Sequence, residues 1–95
     1  MSESITKQQW FVYIVECRDG SYYTGITTNI QERVAKHNAG IGAKYTRARM
    51  PVRVVYSENS DTLSSAAKRE AQIKKLTRSE KEVLVKKRPL VLQNN

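Results

Sequence analysis

The chain is 95 residues long and carries a net charge of +8, from 17 Lys and Arg against 9 Asp and Glu. That length suits one domain with a modest core, because such a chain buries only about 60–65% of the surface its unfolded form exposes. The charge favours a polyanionic partner, and the sequence has neither an apolar run long enough to span a bilayer nor a basic helix with a bulky apolar face, so nucleic acid is favoured over membrane.

Residues 1–9 are mostly polar, lack the apolar segment of a secretory signal and are expected to fray. The run Phe11-Val12-Tyr13-Ile14-Val15-Glu16-Cys17 is β-branched and aromatic, and Ser21-Tyr22-Tyr23-Thr24-Gly25 is a second strand-like run. Asp19-Gly20 between them signals a hairpin. A two-residue loop would pair Cys17 with Tyr22 and set Tyr13 and Tyr23 on opposite faces. A three-residue loop, Arg18-Asp19-Gly20 with Gly20 at positive φ, pairs Val15 with Tyr23 and Tyr13 with Gly25. The second is expected, because it puts both tyrosines on one face and opens a pocket over Gly25. Cys17, the one cysteine, can form neither an internal disulfide nor a cysteine-based zinc site, which fits a core thiol in a reducing, cytoplasmic setting.

Asn29 as N-cap and Glu32 three residues on predict a helix over 30–38, with Ile30, Val34 and His37 along one stripe and Gly40 as its stop. Arg33 and His37 are one turn apart on it. The glycine-opened segment 40–49 reads as a loop that mixes Tyr45 with Lys44, Arg47 and Arg49. Those residues suit a phosphate backbone and a stacked base, or else merely a solvated connector. Residues 51–56 predict a third strand, and 57–62 a polar turn. A helix is expected over 63–76, capped by Asp61 or Thr62, with Leu63, Ala66, Ala67, Glu70 and Ile73 inward. Glu70 thus falls among apolar residues, where a carboxylate must be paired, for instance with Arg33, or bind a metal. Ser79 and Glu82 form a capping box for a short last helix carrying Val83 and Leu84, which Pro89 ends. The expected fold is α+β: a small three-stranded antiparallel sheet flanked by helices in the order β-β-α-β-α-α, one domain over 10–88 with a tail at 89–95.

No Walker loop, dinucleotide glycine motif or histidine–glutamate zinc helix occurs. The remaining polar set, Tyr13, Tyr23, Arg33, His37, Tyr45 and Glu70, suits phosphodiester cleavage. A carboxylate can hold a metal, a guanidinium can stabilise phosphoryl charge, and a tyrosine or the one histidine can activate water.

From Trp10 to Lys86 the sequence resembles a GIY-YIG nuclease domain, in its short single-domain bacterial branch and also in the catalytic module of structure-specific junction and flap endonucleases. Val12-Tyr13-Ile14 matches the first motif and Tyr23-Thr24-Gly25 the second. Arg33 matches the helical arginine and Glu70 the late glutamate. Val12 stands where the first motif has glycine, and Thr24 where the second has isoleucine. Ile26 stands where some relatives have lysine, and no asparagine follows Glu70 before Asn94. The resemblance implies a divalent-metal-dependent endonuclease acting on DNA, with RNA left open, in repair or branched-DNA processing. Glu70 would hold one Mg²⁺ or Mn²⁺. Tyr13 would be the general base, directly or through a relay, with His37 the alternative base. Tyr23 would position water or a phosphate oxygen, and Arg33 would bind the scissile phosphate. Gly25, Lys44, Tyr45, Arg47 and Arg49 would approach the nucleic acid. A basic binding module with the same fold but little cleavage is the alternative. The sequence carries no signal for an oligomeric state.

Overall fold

The computed structural model describes residues 8–87. The strands are β1 (Trp10–Cys17), β2 (Tyr22–Thr27) and β3 (Val52–Ser60), and the helices are α1 (Ile30–Asn38), α2 (Lys44–Arg47), α3 (Leu63–Lys74) and α4 (Arg78–Lys87). The sheet is antiparallel, in the order β2-β1-β3. This is the expected α+β fold, with one added helical turn, α2.

The apolar run of β1 explains its central place, because both of its faces are covered. Val12 and Ile14 join Tyr56, Ala66 and Ile73 in one cluster, against which Leu84 and Val85 of α4 pack. Tyr13, Val15 and Cys17 join Val52 in another, against which Tyr23 and α1's Ile30 and Val34 pack. A bulge in β3 puts Tyr56 opposite Ile14 but Val54 opposite Val15. The extra residue lets Val55 and Tyr56 both serve the first cluster.

The hairpin has the three-residue loop. Tyr13 faces Gly25, Val15 faces Tyr23, the Cys17 amide donates to the Ser21 carbonyl at 2.8 Å, and Gly20 sits at φ +86°. Asn29 caps α1 through the Glu32 amide, and Gly40 follows the helix at φ +81°. The Asn38 side chain then exchanges two hydrogen bonds with the Val52 backbone, at 2.7 and 3.0 Å, tying the end of α1 to β3.

Four expectations need correction. Residues 57–60 continue β3 instead of turning. They pair with the start of β1, and Glu58 is anchored by Tyr56 and Arg69, so tertiary pairing overrides polar composition. The 40–49 segment is not loop throughout, because it carries α2. Leu63 and Ala67 do not face inward: both are exposed, and Ala66 and Ile73 are the buried residues of α3, whose cap is Thr62. The last helix is capped by Thr77 with Glu80, not by Ser79 with Glu82. The expectations for residues 1–7, and for the tail with Pro89, lie outside the described residues.

Candidate active site

The hairpin register lays the Tyr13 ring across Gly25. A Cβ at Gly25 would lie 2.6 Å from the Tyr13 hydroxyl oxygen, so a glycine is what leaves room for that oxygen. The hydroxyl meets Nε2 of His37 at 2.9 Å, joining β1 to α1. Both residues are buried, Tyr13 at 1% and His37 at 0% exposure.

The other nitrogen of His37 faces the segment after α1. Nδ1 lies 2.8 Å from Oγ1 of Thr46, and Thr46 donates to the Ala43 carbonyl at 3.0 Å. Gly42 packs so tightly on the imidazole that a Cβ there would come within 2.3 Å of Nδ1.

Tyr23 is half-buried and touches both sides of the site. Its ring meets His37 edge-on, with centroids 5.4 Å apart, and stacks on Tyr45 at 6.0 Å. The Arg49 guanidinium lies 3.9 Å from the centre of the Tyr45 ring. Tyr45 is therefore already engaged on two counts, and a base would join an existing stack. Lys44 and Arg47 are exposed and line a shallow depression with Ala48.

Glu70, on α3, keeps 23% of its side chain exposed and pairs with Lys74 at 3.2 Å, one turn on. Lys74 also lies 5.9 Å from the centre of the Tyr23 ring. Among the described residues the ion pair of Glu70 is thus with Lys74 and not with Arg33, and the neighbouring Arg69 is committed to Glu58 at 2.8 Å. Among the described residues no group of three or more His, Cys, Asp or Glu could cage a metal. One carboxylate oxygen donor at a partly open position suits a hard cation that keeps most of its waters, as Mg²⁺ does.

The electrostatics tie these groups together. Burial pushes the Tyr13 hydroxyl above its ordinary value. A hydrogen bond from Arg33 opposes this, and Tyr23 and Glu70 add to the rise. Burial, with the Arg33 charge second, holds His37 below its ordinary value. At neutral pH the pair is thus a phenol beside a neutral imidazole.

Tyr13, Tyr23, Arg33, His37 and Glu70 are brought into one neighbourhood from β1, β2, α1 and α3. Sequence reasoning gave no role to Gly42, Thr46 or Lys74. Lys74 was readable as an i,i+4 partner of Glu70, whereas Thr46 carries no signal without its contact to His37. A cavity of about 390 Å³ lined by Glu16, Cys17, Arg18, Gly20, Pro51, Val52 and Arg53 includes none of these candidates.

A family model described as the GIY-YIG catalytic domain matches residues 9–83. A UPF0213 protein of Halobacterium salinarum is 58% identical over 73 residues, covering 77% of this chain and 95% of that one. One of Syntrophus aciditrophicus is 54% identical over 80 residues, covering 83% and 92%. The solution NMR structure of a UPF0213 protein of Bacillus halodurans superposes with a TM-score of 0.57 at 44% identity, over 85% of this chain and 86% of that one. A solution NMR structure from E. faecalis gives a TM-score of 0.59 at 44% identity, with the same coverage. With both tyrosine motifs, the helical arginine and the late glutamate gathered on the matching fold, the chain belongs to the GIY-YIG catalytic domain family of nucleases, in its branch of short, single-domain UPF0213 proteins.

Proposed function

We propose that the protein is a divalent-metal-dependent endonuclease that hydrolyses DNA phosphodiester bonds, working on branched or damaged DNA in the cytoplasm. The observation that carries this reading is the Tyr13 hydroxyl, held over Gly25 against a neutral His37, with Arg33, Tyr23 and Glu70 around it. Arg33 binds the scissile phosphate and offsets charge on its oxygens. Tyr13 takes the proton of the attacking water. Its raised pKa means that it must first give up its own proton, and neutral His37 is the group placed to receive it. Tyr23 orients the water or a phosphate oxygen from its half-buried position. Lys44, Arg47 and Arg49 hold the flanking backbone, with Tyr45 beside them, while Gly25 is buried and leaves room for the Tyr13 hydroxyl instead of meeting the nucleic acid. Glu70 would hold one Mg²⁺ or Mn²⁺, which when bound supplies charge neutralisation at the phosphate and the leaving oxygen.

The test is cleavage of labelled single-stranded, duplex, flap and junction DNA in Mg²⁺, Mn²⁺ or EDTA, for the wild type and Glu70→Ala. Metal-dependent cleavage by the wild type is expected, with a loss of at least about 10²-fold in the mutant, on the scale of a lost transition-state charge stabiliser. Circular dichroism should show the mutant folded, since Glu70 is partly open and its pair with Lys74 is worth under about 1 kcal/mol. Binding without cleavage of any substrate would leave only a nucleic-acid-binding module with this fold.

A further inference from the structure

His37 is the chain's one histidine, and the contacts around it fix where its proton sits. A neutral imidazole has one donor nitrogen and one acceptor nitrogen, so a single choice governs both ends of the ring. At one end stands Tyr13. Its hydroxyl is a buried phenol, and among the described residues its hydrogen-bond acceptor is Nε2 of His37. Arg33, whose guanidinium opposes the rise in the Tyr13 pKa, can only donate.

At the other end Nδ1 meets two groups that demand opposite things. The Thr46 oxygen, at 2.8 Å, accepts a proton from Nδ1 when its own proton goes to the Ala43 carbonyl. The Ala43 amide, at 3.4 Å, is placed to donate to an unprotonated Nδ1. With the proton on Nδ1, the three side-chain donors all have acceptors, Tyr13 to His37, His37 to Thr46 and Thr46 to the Ala43 carbonyl, and of these groups the Ala43 amide alone goes unmatched. With the proton on Nε2, the buried Tyr13 proton has no acceptor among the described residues and is left unpaired. The shorter contact and the complete chain agree.

We propose that Thr46 is a positioning residue for the Tyr13–His37 pair: its hydroxyl oxygen holds the imidazole proton on Nδ1 and so keeps the Nε2 lone pair aimed at Tyr13. The catalytic half of this proposal rests on the nuclease reading above; the tautomer half does not. In the step served, the Tyr13 O–H bond breaks and an Nε2–H bond forms. The electron pair stays on the phenolate oxygen and the imidazole becomes an imidazolium, both of whose N–H groups are matched, one to Tyr13 and one to Thr46. The phenolate then takes a proton from water, and after product release the imidazolium returns its Nε2 proton to the Tyr13 oxygen as Tyr13 gives its own to solvent. His37 itself is fully buried, with Nε2 already occupied, so it acts through Tyr13 and not on water directly. Gly42 supports the arrangement by leaving the segment free to close on Nδ1.

The single histidine makes the test unambiguous. Ring ¹⁵N chemical shifts of the metal-free, DNA-free full chain at pH 7.5 report which nitrogen carries the proton. The wild type is expected to show protonated Nδ1 and unprotonated Nε2; protonated Nε2 would overturn the proposal. Thr46→Val keeps the shape and leaves the Ala43 amide facing Nδ1, so the proton should move to Nε2, and Thr46→Ser should return it to Nδ1. If Thr46→Val does not fold by its amide spectrum, the wild-type and serine shifts still decide the tautomer. In the cleavage assay Thr46→Val should lower kcat roughly 10²-fold, on the scale of lost general-base catalysis, with KM for DNA within about twofold, and Thr46→Ser should restore kcat. A moved proton with kcat unchanged would refute the positioning role. A wild type that cleaves nothing, with the expected shifts intact, would instead sink the nuclease reading and the catalytic half with it.

Discussion

At the scale of single residues, the candidate site is two buried side chains joined by one hydrogen bond beside a carboxylate that stays partly open. His37 titrates at a lowered pKa, so the unfolded chain binds a proton there that the folded chain refuses. The sign follows: stability is full above the unfolded value of about 6.5 and falls as pH drops below it, until the lowered folded value is passed. Asp19 is held low mainly by Ser21, so its contribution is present throughout this range and is lost only at more acidic pH. Urea midpoints measured between pH 8 and 5 should therefore decline below about 6.5, and the decline should vanish in a folded variant lacking the imidazole. Tyr13, Tyr23 and Gly25 were legible in the sequence because strand periodicity and one loop length place all three. Thr46 was not, because its function is a contact between segments that no local pattern encodes. Thr24 is a related case. It fills the buried slot where the family motif has isoleucine, and its hydroxyl finds no hydrogen-bond partner among the described residues.

At the scale of elements, α1 was readable to its last residue. Asn29, Glu32 and Gly40 are local signals that the fold happens to honour. The end of β3 was not readable, since residues 57–60 are polar and extended only because β1 offers them partners. The four residues of α2 are too few to show a period. Helix α3 carries the expectation most open to test. Lys74 sits one turn from Glu70 and pairs with it, so a metal ion held by Glu70, as proposed, would compete with an ammonium already in place. A partly exposed pair of this kind is worth up to about 1 kcal/mol, so Lys74→Met should tighten Mn²⁺ binding by no more than about fivefold. Calorimetric titration without DNA would measure it, and weaker binding in the variant would show that Lys74 helps to build the site.

At the scale of the whole molecule, charge sets the approach to DNA and packing sets the chemistry. The net charge of +8 predicts binding that weakens steeply with salt. Lys44 and Arg47 are both exposed beside the site, so replacing both by alanine should reduce the slope of log K against log salt by roughly two, without changing which DNA structures are preferred. Fluorescence anisotropy across a salt series would show it, and an unchanged slope would take the backbone track away from α2. The fold class was legible because a small chain with one continuous apolar strand has few ways to cover both of its faces.

Tyr13 and His37 are also among the largest fully buried side chains of the molecule. In a saturation screen scored by survival or by abundance, positions 13 and 37 would look like any core position, because most substitutions there leave a hole before they remove a proton. Only replacements that delete the oxygen or the nitrogens and keep the ring's bulk, such as Tyr13→Phe and His37→Phe, would separate the proposed chemistry from the scaffold.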